Sequence, residues 1–480
     1  MLIDPELCYR TLGKRDTRFD GRFYVGVTST GVYCRPICPA PTPRRERCRF
    51  FANAAAAEGA GFRPCLRCRP ELAPGLAPLD AVPRAASAAL ARIEAGALNN
   101  GSLEDLAGEL GLSSRQLRRA VEREYGVPPV ELAQTQRLLM AKRLLTETQL
   151  RMADVAFASG FSSVRRFNHL FRSRYRMNPS ALRKRSPTVE GAESVSLKLA
   201  YRPPLEWGAL LAFLGGRGGA GVDAVEGTRY LRGVRLGERR GWIAAEPLPQ
   251  QAALRVEVSL SLLPVLTPLL ARLRRLFDLD ANPLPVADFL AADPLLRGLV
   301  RQKPGLRVPG AFDGFELALR AVLGQQISVK AASTVYGRFV QAFGEPLQTP
   351  HATITVTPPS AERIAEAKPQ RIIDLGLTQA RAATVRALAR ATADGLKLEP
   401  GQDSEATLAR LKELPGIGDW TAQYVAMRVL RDPDAFPAAD LGVLRALGVA
   451  KPREAIARAE AWRPWRAYAT MHLWQRYATL

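Results

Sequence analysis

Cys34, Cys38, Cys65 and Cys68 form two close pairs, C-x3-C and C-x2-C, separated by the 26 residues 39–64. Thiols at these spacings can each supply one edge of a tetrahedral Zn2+ site. Two chemical outcomes are open. The ion can be a structural staple for a small domain, or it can keep a thiolate ready as a nucleophile at neutral pH. Cys8 and Cys48 fall outside the ligand pattern and read as packing residues.

A different chemistry is suggested by LKELPGIGDWTAQYVAMRVL (411–430). Its Leu-Pro-Gly-Ile-Gly turn, with Gly416 and Gly418, permits close backbone approach and can present amides to a phosphate. Such a hairpin speaks for a DNA backbone and says nothing of catalysis. Asp440 follows in DAFPAADLGVLRAL and is either a helix N-cap or a carboxylate available for a reaction. Trp420, Tyr424 and Trp474 could stack on a base, and aromatics at these spacings are equally ordinary core residues.

Two similar stretches, SLEDLAGELGLSSRQLRRAVERE (102–124) and MADVAFASGFSSVRRFNHLFRSRYRMNPSALRKR (152–185), each read as a short helix, a glycine turn, Ser-Ser and an arginine-rich helix. Arg115, Arg118, Arg165 and Arg166 are the candidates for contact with a major groove. In a plain helical bundle the same arginines would only solvate the surface. The tandem arrangement favours DNA.

These groups need several domains to carry them. A chain of 480 residues has room for three or four, and 47% hydrophobic content suffices for real cores. The formal charge of +22 favours a polyanionic partner, because each neutralised phosphate releases counterions. No apolar run approaches the roughly 20 residues needed to span a bilayer, and MLIDPELCYRTLGKRD lacks the apolar core of a signal peptide. Both features point to an intracellular protein that keeps its cysteines reduced and does not engage a membrane.

Pro and Gly punctuation at 70–83 and a polar stretch at 183–194 mark boundaries. The intervening segment is helical by its apolar spacing. VSLKLAY (195–201) and ALRVEVSL (253–260) alternate as strands, and a helical pattern returns from about residue 284. The run GGRGGAG (215–221) lacks the strand-to-helix setting of a nucleotide loop and reads as a plain loop.

FDGRFYVGVTSTGVYCRPICPA (19–40) and FFANAAAAEGAGFRPCLRCRP (50–70) closely resemble the N-terminal domain of Ada-type methyl acceptors. That resemblance implies one Zn2+ on Cys34, Cys38, Cys65 and Cys68, with Cys34 also accepting a methyl group from a DNA methylphosphotriester. GFSSVRRFNHLFRSRYRMNPSALR resembles the AraC-type regulator domain. It implies an activator that binds promoter DNA, with RNA polymerase as the further partner. The Pro-Cys-His-Arg motif of O6-methylguanine repair is missing, so that activity is expected to be absent.

From about 195 to 476 the chain resembles the AlkA-type 3-methyladenine glycosylases of the helix-hairpin-helix superfamily. The resemblance is carried by YRPPLEWGALLAFL, RLFDLDANP, VPGAFDGFELALRAVLGQQISVKAA (308–332) and WRPWRAYATMHLW (462–474). It implies Asp440 as the catalytic carboxylate, Trp420, Tyr424 and Trp474 as walls for a flipped base, and Gln325 and Gln326 at the DNA. Gln326 stands where the family inserts an apolar wedge. It further implies hairpin carbonyls that hold a monovalent cation. Trp420 replaces the Schiff-base Lys of bifunctional relatives, so the activity should be monofunctional. No cysteine follows Cys68, which excludes the iron–sulfur cluster of some relatives.

The expected architecture is multidomain and mainly α. It comprises a small α+β four-cysteine zinc domain (1–75), an all-α tandem helix-turn-helix domain (84–185), an AlkA-type N-terminal α+β domain (194–283) and an all-α helix-hairpin-helix glycosylase domain (284–480). The expected partner is double-stranded DNA with alkylated bases and methylphosphotriesters, met in a bacterial cytoplasm and its nucleoid.

Overall fold

The computed structural model describes residues 4–74, 84–183, 193–248 and 250–478. Most of the two expected linkers, at 75–83 and 184–192, lies outside the described residues. The chain divides into two compact units, residues 1–202 with 250–271 and residues 203–249 with 272–480. Among the described residues no helix is long and apolar enough to cross a membrane.

The first unit opens with a four-stranded sheet in the order β3–β1–β2–β4, built from β1 (Tyr24–Val27), β2 (Val32–Cys34), β3 (Cys48–Phe51) and β4 (Arg63–Pro64). Its β2–β4 pairing is parallel, with Val32 opposite Arg63 and Tyr33 opposite Pro64. That register carries the chain straight on to Cys34 and Cys65, side by side at the ends of neighbouring strands. The Cys65 amide closes the pairing on the Tyr33 carbonyl at 3.0 Å. Between the cysteine pairs the short helix Ala54–Gly59 is capped by the Asn53 side chain on the Ala56 amide.

The tandem helical segment forms as its sequence pattern predicts. Helices Leu103–Glu109 and Ser114–Tyr125 make the first copy, and Met152–Ala158 and Val164–Tyr175 the second. Gly111 and Gly160, at φ 68° and 85°, make the two turns. The second serine of each Ser-Ser pair, Ser113 or Ser163, is the N-cap that starts the basic helix. Both basic helices bury one residue every fourth position, Leu117, Val121 and Tyr125 in one and Phe167, Phe171 and Tyr175 in the other. Their opposite faces leave Arg115, Arg118, Arg165 and Arg166 outside the core. A long helix, Pro129–Glu147, links the two copies.

This linking helix is joined to the metal module by buried polar groups. Lys142 Nζ donates to the Cys65 carbonyl at 3.2 Å and pairs with Glu71. Arg69 reaches Thr146 at 2.9 Å and Glu147 at 2.8 Å. Glu58, only 4% exposed, accepts hydrogen bonds from Tyr33, Thr135 and Tyr175. Burial pushes its carboxyl up to about 7 from an ordinary 4.5, against the opposing hydrogen bonds of Thr135 and Tyr33 and the charge of Arg174. Between pH 4.5 and 7 the folded chain therefore holds a proton that the unfolded chain has released. The associated stability is full below pH 4.5 and is lost as pH rises through 7, by up to about 3 kcal/mol. Urea unfolding at about pH 5 and about pH 7.5 is expected to show this loss in the wild type and not in Glu58→Gln.

The strands expected at 195–201 and 253–260 form as β5 (Ser194–Ala200) and, last among the described strands, Ala253–Ser259. They pair antiparallel, with Leu197 opposite Val256. Both belong to the first unit, where Arg143 of the linking helix bonds the Lys198 carbonyl and the Lys198 amide bonds Glu147 at 3.1 Å. The second unit holds the meander β6 (Asp223–Glu226), β7 (Arg229–Leu236) and β8 (Arg239–Pro247). The segment expected as one domain, 194–283, is thus shared between the two compact units. Ahead of the meander lies the helix Trp207–Gly215, and beyond residue 282 the described part of the second unit is helical apart from isolated bridges. A buried ion-pair cluster, Asp223–Arg232–Glu316, ties the meander to the helix Gly314–Leu323.

Candidate functional sites

The first site is the cysteine cluster. All four Sγ atoms lie within 4.8 Å of one another, and each residue is only 6–8% exposed. A tetrahedron with Zn–S bonds of about 2.3 Å has edges of about 3.8 Å, so four sulfurs within 4.8 Å of one another are close enough to hold one Zn2+. β2 supplies Cys34, and the turn after β4 supplies Cys65 and Cys68. The Arg35 amide donates to Cys68 Sγ at 3.3 Å. Its guanidinium is clamped between Asp20 and the Cys68 carbonyl, which fixes the backbone around Cys34. Cys8 and Cys48 are also buried; Cys48 joins the same core and its thiol faces the Arg44 carbonyl at 3.4 Å.

The second site lies in the second unit. Helices Ser404–Lys412 and Asp419–Val425 flank the hairpin turn. Gly416 is required there: its φ is 79°, and a Cβ would sit 2.3 Å from Thr384 Oγ1. Gly416→Ala is expected to lower stability by about 1–3 kcal/mol and to weaken DNA binding, read by thermal unfolding and by anisotropy with a labelled duplex. Gly418 has no such neighbour and stands exposed.

Asp440 caps the helix Leu441–Leu447, its Oδ1 accepting from the Val443 amide at 3.1 Å. The capping reading is therefore structurally correct, yet the carboxylate does more. Trp474 Nε1 donates to the same oxygen at 2.9 Å, and Trp420 Nε1 donates to Oδ2 at 3.0 Å. Both indoles and Asp440 are half-buried. Gly442 keeps Trp474 close, since a Cβ there would lie 3.2 Å from its ring. Trp420, Asp440 and Trp474, far apart in sequence, thus converge on one carboxylate.

Tyr424, expected to be a wall of the base pocket, lies deeper than the two indoles. It is buried behind Trp420, stacked at 5.4 Å and 17°, and tilted against Trp474 at 6.2 Å. Its hydroxyl accepts from Arg428 at 2.6 Å. Burial pushes this phenol up, but the cations of Arg428 and Arg217 outweigh that and hold it below the ordinary phenol range. Gln325, expected at the DNA, is half-buried beside the hairpin. Its amide bonds the Gly416 carbonyl at 2.9 Å and Thr421 at 3.0 Å, tying the hairpin to the preceding helix. Gln326 is exposed at φ 60°, in the left-handed region that a residue with a side chain seldom adopts.

Three further residues border the site. Phe213 stacks on Trp474 at 5.8 Å and 21°, and the Arg217 guanidinium lies 3.8 Å over the Phe213 ring. Arg428 lies 4.8 Å over the same ring and is fixed by the Pro309 and Gly310 carbonyls at 2.6 and 2.9 Å. Arg217 comes from the glycine run 215–221, a loop beyond the helix-ending Gly215, which brings a cation to the aromatic cluster. No local pattern around these residues signals the contacts.

Four family profiles match consecutive parts of the chain. They are the metal binding domain of Ada (7–71), a helix-turn-helix domain (106–185), the AlkA N-terminal domain (196–313) and the HhH-GPD superfamily of base excision DNA repair proteins (319–466). A probable bifunctional transcriptional activator/DNA repair enzyme AlkA of Mycobacterium tuberculosis is 42% identical over 98% of this chain and 96% of its own length. The chain belongs to this Ada–AlkA fusion family. The DNA-3-methyladenine glycosylase 2 of Escherichia coli is 36% identical over 58% of this chain and 95% of its own. A 3-methyladenine DNA-glycosylase from Archaeoglobus fulgidus shares the fold, with a TM-score of 0.52 at 22% identity over 58% of this chain and 98% of its own. The fusion family thus joins an Ada metal-binding module, a DNA-binding helix-turn-helix domain and a base-excision glycosylase in one chain.

Proposed function

We propose that this protein excises alkylated purines of the 3-methyladenine type, with Asp440 as the catalytic carboxylate, and leaves an unbroken abasic strand. The observation that carries the reading is the double indole grip on Asp440 within an aromatic cluster beside a hairpin. Two N–H donors hold the carboxylate at a fixed orientation, which is electrostatic preorganisation. Oδ1 accepts two hydrogen bonds and Oδ2 one, so Oδ2 is the oxygen with more capacity left for the sugar or for water.

Flipping the nucleotide costs about a few kcal/mol, least for a damaged base. Exposed Gln326 fills the gap in the duplex, and the hairpin amides near Gly416 and Gly418 grip a phosphate, its carbonyls being the place for a monovalent cation. The base is held against Trp420 and Trp474, with Tyr424 as backing. The C1′–N bond then breaks, with its electron pair leaving on the base. Asp440 stabilises the cationic sugar until water adds at C1′ and releases a proton. An indole at position 420 offers no amine for a Schiff base. Release of 3-methyladenine from alkylated duplex DNA by the intact chain tests the reading; no release overturns it.

At the other end, Cys34 accepts one methyl group from a methylphosphotriester. Cys34, Cys38, Cys65 and Cys68 would hold a Zn2+ that would keep these sulfurs deprotonated. A lone pair on Cys34 Sγ attacks the methyl carbon, and the C–O bond breaks with its electrons on the phosphate oxygen. The products are a thioether and an ordinary phosphodiester. One negative charge has left the protein site, so repulsion of DNA falls. Arg115, Arg118, Arg165 and Arg166 then read promoter DNA, and bound protein recruits RNA polymerase in the bacterial cytoplasm and nucleoid. Domain boundaries near 75, 84, 185, 194 and 284 complete this reading.

A further inference from the structure

We propose that Glu58 is the positioning residue through which the state of Cys34 reaches the second recognition helix. Glu58 sits on the short helix between the two cysteine pairs, and its carboxylate is a meeting point of three elements. Oε1 accepts from the Tyr33 hydroxyl at 3.0 Å and from the Tyr175 hydroxyl at 3.3 Å. Oε2 accepts from Thr135 at 3.0 Å. Tyr33 is the neighbour of Cys34 in β2, Thr135 lies in the linking helix, and Tyr175 is the last residue of Val164–Tyr175.

An apolar residue would fill this position without the penalty of burying a carboxylate. A carboxylate surrounded by hydroxyl donors instead makes the packing of three elements mutually dependent. Successive side chains of a strand point to opposite faces, so Cys34 faces the cysteine cluster while Tyr33 faces Glu58. The inference rests on Cys34 being the methyl acceptor. Its thioether is a neutral and weaker ligand than the thiolate, and any shift of β2 that follows moves the Tyr33 hydroxyl against Glu58. The other links, Lys142 to Cys65 and Arg69 to Glu147, reach only the linking helix. Of these hydrogen bonds only that of Glu58 reaches the second recognition helix, which also packs against β4.

The test uses the full-length, zinc-loaded chain, methylated in one arm by a methylphosphotriester-containing oligothymidylate duplex and in the other by methyl iodide. Peptide mass mapping selects protein with one methyl on Cys34, and hydrogen exchange is followed in peptides covering 164–175. In the wild type, methylation is expected to change exchange there by about threefold or more. Glu58→Leu is expected to keep its zinc and accept the methyl group, yet to lose the response. Glu58→Gln, whose amide oxygen can accept from both tyrosine hydroxyls while its NH2 can donate to Thr135 Oγ1, restores it. Should Glu58→Leu fail to hold zinc, Tyr175→Phe removes only the hydroxyl and is expected to lose the response as well. Unchanged exchange at 164–175 in methylated wild type, or a full response in Glu58→Leu or Tyr175→Phe, overturns the proposal. Failure of the oligonucleotide arm alone overturns the acceptor reading, while the methyl iodide arm still decides the coupling.

Discussion

Asp440→Asn is expected to reduce 3-methyladenine release by about 100- to 1,000-fold, the scale on which removal of one preorganised transition-state partner acts. Asparagine is as good an N-cap as aspartate, so the helix Leu441–Leu447 should keep its start and the fold its stability. The amide oxygen can still accept one indole N–H. The lost quantity is the negative charge beside C1′. Single-turnover base release on alkylated duplex, with binding measured separately on undamaged DNA, separates the two effects. A variant within a few-fold of wild type in release would sink the role given to Asp440.

Cys34→Ser is expected to abolish methyl transfer from a methylphosphotriester altogether. A serine hydroxyl stays protonated at neutral pH and is a poor zinc ligand, so nucleophile and ligand are lost together. Intact mass after incubation with the modified duplex should show no added methyl group, against one per chain in the wild type. Zinc content should fall as well, which distinguishes the variant from a distant surface change. Base release should remain at the wild-type rate, because Trp420, Asp440 and Trp474 lie in the other compact unit. Methylated Cys34→Ser protein would place the acceptor at another cysteine.

The cysteine site was legible because its signal is local: two short spacings and four soft ligands, whereas the parallel β2–β4 pairing that sets Cys34 beside Cys65 carries no such signal. The tandem helices were legible for a related reason. Ser113 and Ser163 are caps, and a cap is a property of the next three residues. Asp440 was only half legible. Its cap could be read from DLGV, but its indole partners come from residues 20 and 34 positions away. The inward hydrogen bonds of Tyr424 to Arg428 and of Gln325 to Thr421 join residues on different elements or different turns, and no local pattern announces them. Phe213 and Arg217 reach Trp474 from some 260 residues upstream, and no periodicity carries that contact. Glu58 was hidden in an alanine-rich run, because its three hydroxyl partners span residues 33 to 175.

The proposed chemistry of the second unit leaves a strand that lacks one base and is otherwise unbroken. Alkylated duplex DNA, labelled on the damaged strand, would be incubated with the intact chain, and its released bases and strand length followed together. Free 3-methyladenine and a full-length strand that breaks only on later alkaline treatment are expected, with no protein–DNA adduct trapped by borohydride. A strand cut without alkali, a trapped adduct, or intact bases throughout would contradict that chemistry.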